Sequence, residues 1–300
     1  MKIKYKGINF RAESLRLIEL INTVVDEYSD LGYDLTLRQV YYQLVARGII
    51  PNNERSYKNT GNLINDARLA GLIDWYAIQD RTRHIRINSH WDNPKDIISS
   101  CVQSYAIDTR STQPNYIEVW VEKDALIGIV QDISRKLDVP CFSCRGYVSA
   151  SEMWVAARRF INEDTRDRRL ILHLGDHDPS GKDMSRDIED RLGLFGANVE
   201  VHRIALNFDQ VEEYSPPPNP TKLTDSRASG YIAQHGYECW ELDALEPLTM
   251  TALIRDRVES LTDIGEVSRL QKIQDEQKGE LRLAKTHWND AINYLKEWFI

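Results

Sequence analysis

The chain has 300 residues, a formal net charge of −8 and a hydrophobic fraction of 42%. That length suffices for two domains, and an acidic balance excludes a protein that coats a polyanion with its whole surface, so any nucleic-acid contact must come from a local basic face. No long apolar run and no secretory signal is present, which predicts a soluble cytoplasmic protein without a membrane contact, nucleoid-associated if bacterial, with its four cysteines as reduced thiols.

In chain order, the first clear element runs from Asp34 to Val45, where Thr36 stands at a capping position and apolar residues follow at helical spacing until Gly48 and Pro51. A second helix fits Tyr57–Ala70, with Leu63, Ile64, Ala67 and Leu69 on its apolar side. Ile78 and the alternation Arg83-His84-Ile85-Arg86-Ile87 predict a small β wing, so residues 1–90 read as a winged helix-turn-helix domain for double-stranded DNA. Between residues 38 and 86 eight basic side chains face four acidic ones, a local balance of +4 in an acidic chain. Singly these are ordinary solvated residues; together Arg38, Arg55, Lys58, Arg68, Arg81, Arg83 and Arg86 offer a face that neutralises phosphates. Residues 91–114, where Asn, Asp, Ser and Pro interrupt the periodicity, read as a linker.

From residue 115 strands and helices alternate. Tyr116–Val121 is an apolar strand that delivers Glu122-Lys123, followed by a helical pattern through Ala125, Leu126, Ile129, Val130 and Ile133. Val139–Cys144 is a short strand, Met153 to Phe160 a helix, Leu170–Leu174 a buried strand and Val199–Leu206 the last strand. That order predicts an α/β domain over 115–213 with a Rossmann-like, mostly parallel sheet. Cys141-x-x-Cys144 has the spacing of a redox pair or half a zinc site, but lies in a strand without a second pair, and buried thiols are the favoured reading.

Chemistry concentrates where strands end. Gly175-Asp176-His177-Asp178-Pro179-Ser180-Gly181 stops a buried strand with two carboxylates, at the edge where such sheets bind ligands. Asp176 and Asp178 suit Mg²⁺, which takes carboxylates, water and phosphate oxygens, and Glu122 stands at a second strand end of the same kind. The bland alternative is a surface turn whose Asp residues cap a helix starting near Lys182. A calcium loop of the EF-hand type is excluded by the preceding strand and by Pro179 and Met184; a phosphatase with an Asp nucleophile is the stronger rival, although its nucleophilic strand normally opens the domain.

Residues 214–300 read as a carboxy-terminal extension. Tyr214–Lys222 is a proline-rich extended connection. Glu241 and Asp243 repeat the alternating carboxylates on a short strand, as a metal ligand or channel lining, with a structural role favoured. A final helix from Glu266 to Ile300 ends in Trp288, Tyr294, Trp298 and Phe299, an aromatic end suited to packing on the sheet domain or to a dimer contact.

Glu-Lys after one strand, Gly146-Tyr147 after the next and Asp-x-Asp-Pro-x-Gly after the third resemble the TOPRIM domain carried by the A subunit of topoisomerase VI and the meiotic double-strand-break transesterases. Val148-Ser149 departs from the Pro-Asp of that family's second element. Thr36-x-Arg38-x-x-Tyr41-Tyr42 resembles the segment carrying the catalytic tyrosine in the same proteins. The resemblance implies Mg²⁺ held by Glu122, Asp176 and Asp178 beside a scissile phosphate, catalysis by Tyr42 as nucleophile with Arg38, Glu122 and Lys123, and Tyr41 as the core member of the aromatic pair. A phenol ionises only near pH 10, so Tyr42 needs a cation or base, and Arg38 one turn earlier is placed to stabilise phenolate or phosphate. The resemblance further implies a homodimer, because nucleophile and metal lie on different domains, and a separate ATPase subunit for strand passage. A hydrolytic metal nuclease and a catalytically silent DNA-binding protein are the alternatives; a TOPRIM primase is disfavoured by the missing zinc-ribbon cysteines.

Overall fold

The structure, a computed structural model, describes residues 1–31, 35–79, 88–163 and 165–299. It divides into two compact units, Met1–Arg83 with Asn115–Ser260, and His84–Pro114 with Leu261–Ile300. The amino-terminal region and the sheet region, expected as separate domains joined by a linker, therefore cluster as one unit.

Helix α1 (Ala12–Asp30) buries Ile18, Ile21, Val24, Val25 and Tyr28, a three-to-four spacing in the sequence that makes one apolar face. Strand β1 (Leu35–Thr36) leads directly into α2 (Leu37–Ala46), which starts as expected because Thr36 and Gln39 form a reciprocal capping box. Helix α3 (Glu54–Leu69) begins three residues before Tyr57 because the Asn53 side chain accepts from the Ser56 N–H and caps it there. Strand β2 (Ile78–Gln79) pairs in parallel with β1. Ile21, Leu35, Val40, Leu44, Ile64, Ala67 and Ile73 form the common core of these helices. The wing expected over Arg83–Ile87, with Arg81, Arg83 and Arg86, lies outside the described residues. Residues 91–114 are not a plain linker: they carry α4 (Pro94–Ser104), started by the Asn93 cap and a proline in the first turn.

The sheet follows the expected alternation. Strands β3 (Asn115–Val121), β4 (Cys141–Ser143), β5 (Arg168–Leu174) and β6 (Glu200–Ala205) stand in the order β4-β3-β5-β6, every pairing parallel. Helices α5 (Ile127–Lys136) and α6 (Ala150–Asn162) follow β3 and β4, and α7 (Pro179–Leu194) follows β5. Trp120 and Ile171 of the sheet pack with Met153, Ala157 and Phe160 of α6 and Ile188 and Leu192 of α7. Burying each of these large side chains is worth about 1.5–3 kcal/mol. Beyond β6 come α8 (Phe208–Tyr214), the antiparallel pair β7 (Asn219–Pro220) and β8 (Glu238–Cys239) with α9 (Ala228–His235) between them, and α10 (Pro247–Glu259). The proline-rich connection thus contributes a strand. All four cysteines are free thiols, Cys144 and Cys239 buried.

In the other unit, α11 (Ile264–Thr286) packs along α4, and Gln113 ties the segment between them to Asp263 through bonds in both directions. The single final helix expected over 266–300 is two, because the chain breaks at His287 before α12 (Trp288–Phe299). Among the described residues, no helix is long and apolar enough to cross a membrane.

Candidate active site

Parallel pairing of Val121 with Leu174 ends β3 and β5 at the same level, so Glu122 emerges beside Gly175 and Asp176. The Glu122 N–H donates to the Leu174 carbonyl at 2.8 Å, and its carboxylate accepts from the Asp176 N–H at 2.8 Å. Two glycines make room for this carboxylate. A Cβ on Gly175 would lie 2.8 Å from Glu122 Oε2, and one on Gly181 would lie 3.0 Å from it and collide with the Asp176 carbonyl. Arg203 of β6, half-buried behind the loop, donates to the carbonyls of Gly175 and Gly181 at 2.8 Å each and to that of Asp176. Sequence reasoning missed Arg203, which carries no motif; only its register opposite His173 puts it there.

A third segment joins these strand ends. His177 and Trp240 exchange backbone bonds of 2.8 and 2.9 Å, which lays Glu241–Ala244 along the β5 loop and lets the Leu242 N–H donate to Asp176 Oδ1 at 2.7 Å. Lys123 Nζ then meets Asp176 Oδ2 at 2.8 Å, Glu241 Oε2 at 2.9 Å and Asp243 Oδ2 at 2.7 Å. Arg38, reaching over from α2, bonds Glu241 and sets its Nε 3.0 Å from Asp243 Oδ2. Glu241 and Asp243, for which a structural role was favoured, thus bind the two cations of the site.

The electrostatics reflect crowding of like charge in a buried place. Burial, then the neighbouring Asp176 charge, pushes the Glu122 carboxyl up to about 7. Burial also raises Asp176, against the opposing pull of Lys123. Burial acts to lower the Lys123 ammonium, but the charges of Asp176 and Asp243 outweigh it and leave it above its ordinary value. Lys123 therefore stays charged at neutral pH.

Whether Mg²⁺ suits these residues is a question of donors and of arrangement. The donors fit: they are hard carboxylate oxygens, Glu122 is raised to about 7 by burial and then by the Asp176 charge, and the buried Asp243 Oδ1 has no hydrogen-bond partner. In the arrangement seen here Lys123 supplies the positive charge at Asp176, and among the described residues no group of three His, Cys, Asp or Glu side chains is set to hold an ion. Asp178 also caps α7, its Oδ1 accepting from the Gly181 N–H at 2.6 Å, as the bland alternative expected.

Tyr41 and Tyr42 are both buried, and they differ in what their hydroxyls meet. Tyr41 is a core residue, as expected: its hydroxyl accepts from the Asn53 N–H at 2.9 Å and reaches Asn52 Oδ1 at 3.0 Å. Tyr42 packs against Tyr41 with ring centroids 5.2 Å apart and lies under the Arg38 guanidinium at 5.8 Å. Burial raises its phenol above 10, while the Asn219 side chain and the charges of Arg38 and Lys123 pull it down. Arg38 is no free phosphate contact, since two carboxylates hold it. Tyr42, Arg38, Lys123, Asp176 and Asp178 line one cavity of about 730 Å³, shared with Tyr57 and Asn219.

The proposed DNA face is reduced by the structure. Arg55 and Lys58 are exposed on α3, with Lys58 2.7 Å from Glu54. Arg68 is turned inward, bonded to the carbonyls of Trp75 and Ile78 and stacked over the Trp75 ring, because it ties α3 to the segment before β2. It is corrected from a phosphate contact to a structural residue.

No protein-family model matches this chain, and a search of curated proteins finds no match either.

Proposed function

We propose that this chain is a DNA-processing enzyme, a winged-helix region with a TOPRIM-type sheet similar to the A subunit of topoisomerase VI, that cuts a DNA strand by attack of Tyr42 on phosphorus. The observation that carries the reading is the shared cavity, lined by Tyr42, the cations Arg38 and Lys123, and the carboxylates of Asp176, Asp178 and Glu241. A phosphodiester is an anion, and the half-buried Lys123 and Arg38 are both already paired with carboxylates, so binding it here would require a cation that neutralises those carboxylates. Glu122, Asp176 and Asp178 would hold Mg²⁺, which when bound supplies Lewis-acid stabilisation of charge on the phosphate oxygens. The glycines at 175 and 181 keep the strand-end backbone close enough for Glu122 to sit between Asp176 and the α7 terminus. Tyr41, fixed through Asn52 and Asn53, holds the ring of Tyr42 in place. Arg55 and Lys58 on α3 orient the duplex through its phosphates.

The raised phenol of Tyr42 favours a second reading, a nuclease in which water rather than tyrosine attacks. Stopping the reaction with detergent in the presence of labelled DNA separates the two. The transesterase leaves protein covalently on a DNA end, and Tyr42→Phe abolishes both the adduct and the cut. Cutting by Tyr42→Phe at the wild-type rate, with free ends, overturns the tyrosine mechanism and leaves the nuclease.

A further inference from the structure

Resting on the reading of Asp176 and Asp178 as metal ligands, we propose that Tyr231 is the positioning residue of their loop: its hydroxyl locks His177, the residue between the two carboxylates, and so sets where both of them stand. In an extended stretch successive side chains point to opposite sides. Asp176 and Asp178 accordingly line the cavity, whereas His177 is packed in a box of rings made by Phe208, Tyr231, His235 and Trp240, with centroids 4.7–5.7 Å from its own. His177 is 1% exposed and Tyr231 6%. Three polar contacts meet at the Tyr231 hydroxyl, which lies 2.9 Å from the His177 carbonyl, 3.1 Å from the Glu238 carbonyl and 2.8 Å from His177 Nδ1. Both carbonyls can only accept and the hydroxyl has one hydrogen, so that hydrogen goes to the carbonyls and the phenolic oxygen takes one from the imidazole. His177 is therefore the tautomer with Nδ1 protonated and Nε2 bare. The buried Nε2 has no hydrogen-bond partner among the described residues, so nothing at that end opposes the choice.

The same hydroxyl reaches the backbone. The His177 carbonyl accepts from Tyr231 and, at 2.9 Å, from the Trp240 N–H, while the His177 N–H donates to the Trp240 carbonyl at 2.8 Å. Both peptide groups flanking His177 are thus fixed, the one that follows Asp176 and the one that precedes Asp178. One phenolic oxygen couples the ring and the carbonyl of a single residue, which the backbone bridge to Trp240 does not do alone. Two residues beyond Trp240, the Leu242 N–H donates to Asp176 Oδ1 at 2.7 Å. Tyr231 belongs to α9, so the carboxylates at the end of β5 are placed by a helix 54 residues further along the chain from His177. Partners of this outer kind orient metal ligands and tune the affinity of a site without touching the ion.

Three measurements on full-length protein test this, none of which needs activity. Tyr231→Phe removes one oxygen and keeps the ring. It is expected to weaken Mn²⁺ binding, read by electron paramagnetic resonance, on the order of 10-fold or more. It should also speed hydrogen exchange of the Asp176 and Leu242 amides, which bond the site carboxylates, by about 10-fold or more, while the amides of Ile117 and Val119 in β3 keep their wild-type rate. Unchanged exchange at Asp176 and Leu242, or an equal acceleration in β3, overturns the proposal. In long-range nitrogen spectra of histidine-labelled wild-type protein, the His177 signal, assigned by its absence from His177→Asn, should show Nδ1 protonated and Nε2 bare; the opposite tautomer overturns it. His177→Asn, whose amide donates from the place of Nδ1, should bind Mn²⁺ within about threefold of wild type, and His177→Gln as weakly as Tyr231→Phe; the reverse order overturns the assignment. If wild-type protein binds no Mn²⁺ while Tyr231→Phe still frees the Asp176 and Leu242 amides, the metal reading fails and the positioning role of Tyr231 stands.

Discussion

Glu118 and Glu122 sit four residues apart, one in the middle of β3 and one just past its end, and both carboxylates are buried. Glu118 is fully answered: Arg159 grips it with two bonds of 3.0 Å, Trp120 Nε1 donates at 2.8 Å and the Tyr116 hydroxyl at 2.9 Å. Glu122 receives the Asp176 N–H, and burial, then the charge of Asp176, raises its pKa to about 7. A buried acid with matched donors is part of the frame; a buried acid left in excess negative charge holds energy that a ligand can release. The same strand thus carries a structural acid and a site acid, told apart by what surrounds them.

The strongest way to break this comparison is to change the site and look for a purely chemical effect. Asp176→Asn should lower the proposed DNA cleavage by on the order of 100-fold or more, with a melting temperature close to wild type, because Lys123 retains Glu241 and Asp243. Unfolding of this variant at room temperature would place Asp176 in the frame alongside Glu118.

The frame should answer in the opposite way. Arg159→Met leaves Glu118 buried without its ion partner and should cost about 2–4 kcal/mol of stability in urea unfolding, the lower part of the range reflecting the partial exposure of Arg159. A loss below about 0.5 kcal/mol would show Glu118 to be satisfied by Trp120 and Tyr116 alone.

Glu122 sharpens the contrast through pH. Its folded pKa of about 7 lies above the ordinary glutamate value, so the folded state holds the proton more tightly than the unfolded chain. That contribution is fully present below the unfolded pKa and is lost as pH rises through about 7. Glu122→Gln removes the group, and should exceed wild-type stability by on the order of 1–3 kcal/mol at pH 8, with the difference vanishing near pH 4. Thermal melts at both pH values check it, and equal stability at pH 8 would mean that Glu122 is already neutralised.

The smallest effect concerns the exposed basic side chains of α3, which lie outside both acid environments. Reversing Arg55 and Lys58 to Glu should weaken duplex binding several-fold regardless of sequence, and lower the slope of log affinity against log salt by about 2. An unchanged slope would move the DNA face away from α3.

Much of the site was legible before any coordinates. Helix α2 follows from Thr36 and its spacing, the parallel sheet from strands that alternate with helices, and Glu122 and Asp176 from apolar runs that stop in carboxylates. What misled was local grammar. Residues 91–114 look like a linker because Asn, Asp, Ser and Pro are helix-start residues as well as loop residues, and Asn93-Pro94 begins α4. Arg68 looks like any solvated arginine, and only the fold turns it inward.

The sequence by itself determined the elements and the acids at the strand ends, because periodicity and capping act over a few residues. Tertiary structure alone decided that Glu241 and Asp243, more than sixty residues after Asp176, meet Lys123 and Arg38, and that Tyr42 faces the same cavity. Ion pairs between residues 38, 123, 176 and 243 depend on strand order, the His177–Trp240 bridge and the packing of α2 on the turn at Ala244. No local pattern encodes them, since a side chain's charge is written in sequence and its partner is chosen by the fold.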